Sequence, residues 1–246
     1  MNPETAAGAR TSHRAWVEID HAAIADNVAA LRGLGRPGQQ VIGVVKANAY
    51  GHGDAETART LVAAGVERLA VATVDEGIGL RDAGIESPVV VLFEMSDAEA
   101  PRAVAAGLEA TVFTARGVVA IARAAASAGS RGRVHLKIDT GLGRQGVHPS
   151  EALGVAREII TQGELELVGT YTHLAVPGED EAFTDLQLVR LGRALDSLRG
   201  SGLHPGLVHV SGTGGVLAGV APFADAIRPG LGLYGLAPRW ASARAA

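Results

Sequence analysis

The sequence predicts an α/β fold, a (β/α)8 TIM-type barrel over residues 15–238. Three observations predict it. From residue 41 onward, short apolar runs of strand length alternate with helical segments, and eight strands can be counted. At 246 residues and 47% hydrophobic content, the chain is of the size expected for a single barrel with a full core. No GxGxxG follows an early strand, as an open dinucleotide-binding sheet would require.

The elements follow in order. Residues 1–14 read as a tail. Ala15–Asp20 alternates like a strand with one buried face, and Asp20 is placed to cap a helix carrying Ile24, Val28 and Leu31. The first barrel strand is the β-branched run ending at Val45, and a helix from Asp54 stops at Gly65. Strands over 68–73, 88–93, 109–113, 133–139, 165–172 and 207–210 are separated by helices over 76–83, 97–106, 115–128, 149–161 and 184–198. Thr213–Leu217 has room for only one or two helical turns. Ala224–Leu233 reads as extended on both sides of Arg228-Pro229-Gly230, and residues 239–246 as a C-terminal tail.

Composition narrows the function. A net charge of −4 and a pI near 6.1 give no basic surface for nucleic acid or an anionic membrane. There is no cysteine, so disulfides and thiolate metal sites are excluded, and no metal is expected. No apolar run reaches the ~18 residues of a membrane span, and Met1–Arg14 has no hydrophobic centre of the signal-peptide kind. A soluble, cytoplasmic protein is expected.

The chemistry is sought at the C-terminal ends of the strands. Lys46 follows the first strand, and Lys137 is the only other lysine among 22 basic residues. Arginine keeps its proton, whereas a lysine in apolar surroundings can lose it. Lys46 is thus a candidate amine for Schiff-base chemistry with a carbonyl such as pyridoxal phosphate (PLP); a snorkelling strand-end lysine is the other reading. Lys137 lies between Leu136 and Ile138, so alternation sends it to the opposite face. Inward is favoured, because a lysine under the helices would be costly. Asp139 and Arg144 flank the glycine-rich turn that follows. His173 ends strand six and reads either as a site residue or as a satisfied core histidine. Ser211-Gly212-Thr213-Gly214-Gly215 follows strand seven, a usual place for a phosphate in this fold, with Thr213 adding a hydroxyl. Arg228, Gly230 and Tyr234 mark strand eight. Arg144 and Arg228 could equally be surface ion-pair partners.

Four segments carry a resemblance. Val45-Lys46-Ala47-Asn48-Ala49-Tyr50-Gly51-His52-Gly53, Lys137-Ile138-Asp139-Thr140-Gly141-Leu142-Gly143-Arg144, Tyr171-Thr172-His173 and Arg228-Pro229-Gly230-Leu231-Gly232-Leu233-Tyr234-Gly235 resemble the motifs of bacterial alanine racemases, in the same order from Trp16 to Pro238. The resemblance implies a PLP enzyme interconverting L- and D-alanine, which supplies D-alanine for cell-wall peptidoglycan and works as a homodimer. By that likeness Lys46 holds PLP and acts as base on one face of the substrate. Tyr50, Thr213, Gly230 and Leu231 contact the phosphate, with Ser211, Gly212 and Tyr234 in the same cofactor-binding set. His173 packs beside the pyridine ring, and Arg228 donates to the pyridine nitrogen. Arg144 orients the substrate carboxylate, and Lys137 takes the position of a carboxylated lysine. Lys46, Arg144, Lys137 and His173 form the implied catalytic set.

There are departures. Leu142 stands where methionine is usual, Gly212 where asparagine is common and Thr213 where serine is. The family carries a second, β-rich domain after the barrel, and from it comes a tyrosine serving the opposite face of the substrate. None of Tyr50, Tyr171 and Tyr234 matches that residue. The Trp16–Ile19 strand, which pairs with that domain in the family, would be an unpaired edge. The chain therefore reads as a truncated form, inactive or poorly active alone. The alternatives are a non-catalytic single-domain PLP-binding homeostasis protein and another enzyme of the same barrel class.

Overall fold

A computed structural model describes residues 15–244. The segment expected as an N-terminal tail, 1–14, lies outside the described residues. Eight parallel strands close into a barrel in the order β1 to β8: Gln40–Val44, Arg68–Val71, Val89–Glu94, Glu109–Val112, Gly132–Lys137, Leu165–Tyr171, Leu207–His209 and Ala226–Ile227. Closure is direct, since β8 pairs with β1 through Gln40↔Ala226 and Val41↔Ile227. No described helix is long and apolar enough to cross a membrane.

The outer layer comprises α1 (His21–Leu34), α2 (Lys46–Gly51), α3 (Asp54–Ala63), α4 (Val74–Asp82), α5 (Ala100–Ala105), α6 (Ala115–Ser127), α7 (Ala152–Thr161), α8 (Glu181–Gly200), α9 (Thr213–Leu217) and α10 (Arg239–Arg244). Their apolar faces pack on the strands in one large cluster that includes Val28, Leu61, Leu80, Ile121, Ile159 and Leu195. Side chains that satisfy the first free N–H groups start several helices: Asp20 accepts from Ala23 N, Thr114 from Gly117 N and Asp180 from Phe183 N. Thr73 and Glu76 form a reciprocal capping box at α4.

The barrel interior has two chemistries. Ile42, Val44, Ala70, Val90 and Ala226, from β1–β3 and β8, form a small apolar cluster. On β4–β7, buried Glu109, Thr111, His135, Lys137, Tyr171 and His209 make the opposite half polar.

Three expectations need correction. Ala15–Asp20 forms no strand and Trp16 and Val17 are exposed, because no neighbouring strand among the described residues supplies ladder hydrogen bonds. The chain after Gly230 is not extended: Leu231–Tyr234 is a 3-10 turn, closed by Leu233 N donating to Gly230 O. Residues 239–244, read as tail, form α10.

Candidate active site

The mouth of the barrel opens onto a cavity of about 370 Å³ lined by Lys46, Tyr50, Lys137, Arg144, Tyr171, His173, Gly212–Gly215, Arg228, Gly230 and Leu231, among others. Lys46 enters it from α2, which is wound left-handed: Ala47, Asn48, Ala49 and Tyr50 have φ of 53–54°. Each such non-glycine residue costs about 1–2 kcal/mol, so the turn must be held by its surroundings. Glu76 does part of this. Its Oε1 accepts from Ala47 N (2.7 Å), and Oε2 accepts from Ala72 N (2.7 Å) and Thr73 N (3.2 Å). Asn48 Oδ1 accepts from Asp54 N, and Ala49 N donates to Val45 O. Burial, followed by the Arg144 charge, lowers the Lys46 pKa; Glu76 opposes the shift and Arg228 adds to it.

Lys137 ends β5 and points into the cavity, 5.5 Å from the Tyr171 ring centroid and 5.9 Å from that of Phe93. Burial, with Arg144 and Arg228 adding like-charge repulsion, brings its pKa down to about 8. The loop beyond it is folded around Asp139, whose carboxylate accepts from Gly141 N, Gly143 N and Arg144 N. Burial alone would raise that carboxyl, but these bonds hold it below its usual range. The Arg144 guanidinium thus reaches the cavity from a braced loop, and no carboxylate among the described residues pairs with it.

Arg228 is buried and held at four points, the longest from Nη2 to Val210 O (3.4 Å). Nη1 donates to His209 Nδ1 (2.6 Å); Nη2 donates to Thr172 O (2.9 Å) and lies 3.1 Å from His173 Nδ1. Burial lowers its pKa to about 10, so it remains a cation at neutral pH. Burial and then the Arg228 charge push His173 down to about 3, so its ring is neutral and accepts from Arg228. Tyr171 is a platform: its ring stacks on His209 at 4.4 Å and lies 5.0 Å from the Arg228 guanidinium carbon.

On the other wall Thr213 Oγ1 accepts from both Gly230 N (3.2 Å) and Gly232 N (3.0 Å), leaving its own proton to donate. A Cβ on Gly230 would come within 2.5 Å of the Tyr50 hydroxyl, so only glycine lets the backbone approach there. Two residues expected in the cofactor set stand back from the lining. Ser211 Oγ donates to Val220 O, and the Tyr234 hydroxyl donates to Val44 O behind Tyr50. Sequence reasoning did not put Leu92, Phe93, Glu179 or Trp240 in the lining; Leu92 and Phe93 end the strand expected over 88–93 and could have been found by that position, whereas nothing in the local pattern of Glu179 or Trp240 marks the rim of a barrel.

Four cations and one carboxylate, Glu179, line this cavity beside a glycine–threonine wall. A barrel with such a mouth defines a class: α/β barrels with a cation-lined cavity, suited to a small anionic ligand, at the C-terminal ends of the strands. Within that class the chain belongs to the alanine racemase N-terminal domain family, whose profile matches residues 19–238. Alanine racemase of Symbiobacterium thermophilum is 36% identical over 224 residues, covering 91% of this chain and 59% of the relative. That of Geobacillus kaustophilus is 40% identical over 224 residues, covering 91% and 58%. Among solved structures, Clostridium difficile alanine racemase in complex with cycloserine matches with a TM-score of 0.87 at 30% identity, covering 93% of this chain and 64% of that one. Bacillus anthracis alanine racemase with bound L-Ala-P matches with a TM-score of 0.86 at 32% identity, covering 94% and 60%. The chain thus spans roughly three-fifths of the length of the curated relatives it matches.

Proposed function

We propose that this barrel holds PLP on Lys46 and belongs to an alanine racemase. The observation that carries the reading is the meeting, in one cavity, of a pKa-lowered Lys46 amine with the Arg228 cation and the Gly212–Gly215/Gly230 wall. That wall fits a phosphate: a side chain at Gly230 would fill the approach, and the Thr213 and Tyr50 hydroxyls stand beside it. When bound, PLP supplies an electron sink that acidifies the substrate α-carbon.

The chain's own groups do the rest. Lys46 Nζ, with its pKa lowered, would hold the cofactor through its aldehyde and, once the substrate amine has taken its place there, would be the base for the α-proton on one face. Arg228 can only donate, so a cofactor ring nitrogen facing it would be kept as an unprotonated acceptor, which would limit side reactions of a carbanion. His173, neutral and bonded to Arg228, would pack beside the ring. Arg144 receives the substrate carboxylate. Lys137 is neutral for part of the time at neutral pH, so its amine can add carbon dioxide and release a proton. The resulting carbamate anion would pair with Arg144. The same reading makes the protein a cytoplasmic homodimer producing D-alanine; the family resemblance supports it.

The test is spectroscopic. The chain, given PLP, develops a visible absorbance band that survives gel filtration; borohydride abolishes that band and leaves the cofactor permanently attached, with a near-ultraviolet absorbance that denaturation does not remove. In Lys46→Ala neither occurs. An equally strong reducible attachment in Lys46→Ala would refute the role given to this lysine.

A further inference from the structure

A chain of buried polar side chains crosses the barrel interior beneath the cavity, and the proposed chemistry does not use it. Glu109 opens β4 at the floor of the barrel and is fully buried. Its Oε2 lies 2.8 Å from His135 Nε2 on β5; His135 Nδ1 lies 3.1 Å from His209 Nε2 on β7; His209 Nδ1 lies 2.6 Å from Arg228 Nη1. Both histidines have no exposed surface and Arg228 is only 3% exposed. Arg133 Nη2 sits 2.8 Å from Glu109 Oε1 and Arg68 Nε 3.4 Å from Oε2, so the carboxylate is also flanked by cations at the floor. The Arg133 contact lies off the hydrogen-bonding direction, and Oε1 has no hydrogen bond.

The direction of the chain is forced by its ends. A guanidinium only donates, so His209 Nδ1 must accept and its proton sits on Nε2. That proton goes to His135 Nδ1, which leaves the His135 proton on Nε2, facing a carboxylate that only accepts. Both rings must then be neutral. Burial holds His135 below its usual pKa even against Glu109, and burial with the Arg228 charge holds His209 well below. The sequence makes room for this row: a Cβ on Gly169 would fall 2.3 Å from His135 Nδ1. A core that needed only volume would be served as well by apolar side chains, since buried charges are costly to desolvate.

We propose that Glu109, His135 and His209 are positioning residues for Arg228, a one-way hydrogen-bond chain that fixes the guanidinium from behind and supplies its counter-charge from the barrel floor. The chain spares the cavity a carboxylate next to Arg228. Its bearing on the cofactor rests on the PLP reading above; its direction does not.

The first measurement uses the cofactor-free, 15N-labelled full chain and long-range 15N–1H correlation of the histidine rings. His135 and His209 are each expected as a single neutral form protonated on Nε2, unchanged across the neutral pH range. An Nδ1–H form or an imidazolium at either ring overturns the proposal, and this holds whether or not any variant folds. The second is PLP affinity in His209→Phe, which keeps the ring stacked on Tyr171 but removes both nitrogens. A folded variant should bind PLP about tenfold or more weakly; unchanged affinity in a folded variant overturns the positioning role. If the unmodified chain shows the expected rings but takes up no PLP, the cofactor reading fails and the relay stands.

Discussion

Lys137 illustrates how much one residue's chemistry owes to its neighbours. Alternation along β5 sends it to the face opposite Leu136 and Ile138, the cost of a lysine under the helices favours the inner side, and the cavity lining includes it. The same alternation puts His135 on that inner face, yet no local signal marks it, because its partners Glu109 and His209 come from strands β4 and β7. Sequence adjacency shows what a residue is next to along the chain and hides what the closed barrel brings beside it. A charged lysine in that position costs stability. Its pKa is about 8 in the folded chain and near 10.5 when exposed, so the unfolded chain binds the extra proton between those values. The penalty is complete below pH about 8 and fades as the pH rises towards 10.5. In carbon dioxide-free buffer at neutral pH, Lys137→Met should therefore stabilise the chain by about 2–3 kcal/mol in urea titration. The gain should shrink as the pH is raised through that window. Destabilisation by the substitution would contradict the assigned cost.

Among the elements, strands and long helices were legible because their signals are local: apolar runs, caps and closing glycines. What failed depended on partners or on the exact turn. Trp16–Ile19 carries strand alternation but has no neighbour to pair with, and Leu231–Tyr234 carries apolar residues of strand type but closes as a 3-10 turn. The left-handed α2 is the clearest case. Ala47-Asn48-Ala49-Tyr50 contains no glycine, so nothing local announces positive φ. The turn is imposed in part by Glu76, thirty residues downstream of Lys46, through Ala47 N. Glu76→Ala removes the acceptor of three backbone N–H groups and should cost about 1–3 kcal/mol in chemical denaturation. It should also slow reductive trapping of PLP on Lys46, with Glu76→Gln recovering part of both. Trapping at the unmodified rate in Glu76→Ala would show that the turn is held without it.

Over the whole molecule, the closed barrel divides its interior into an apolar half and a polar half, and the cavity is lined from both: Lys46 and Arg228 follow β1 and β8, while Lys137 and His173 stand at the ends of β5 and β6. Stereoinversion needs a proton removed from one face and returned to the other, each by its own positioned group. In the proposed reading Lys46 serves one face. The Tyr171 hydroxyl is committed to Leu92 O and Thr111 Oγ1, and the Tyr50 hydroxyl lies over Gly230 by the glycine wall. Neither tyrosine is placed to serve the other face. The most direct measurement of the account follows α-deuterium exchange into L-alanine and D-alanine formation together, with this 246-residue chain loaded with PLP. The account predicts exchange that depends on Lys46, with D-alanine appearing far more slowly. Racemisation keeping pace with exchange, or the absence of exchange in a chain that holds PLP, would contradict it.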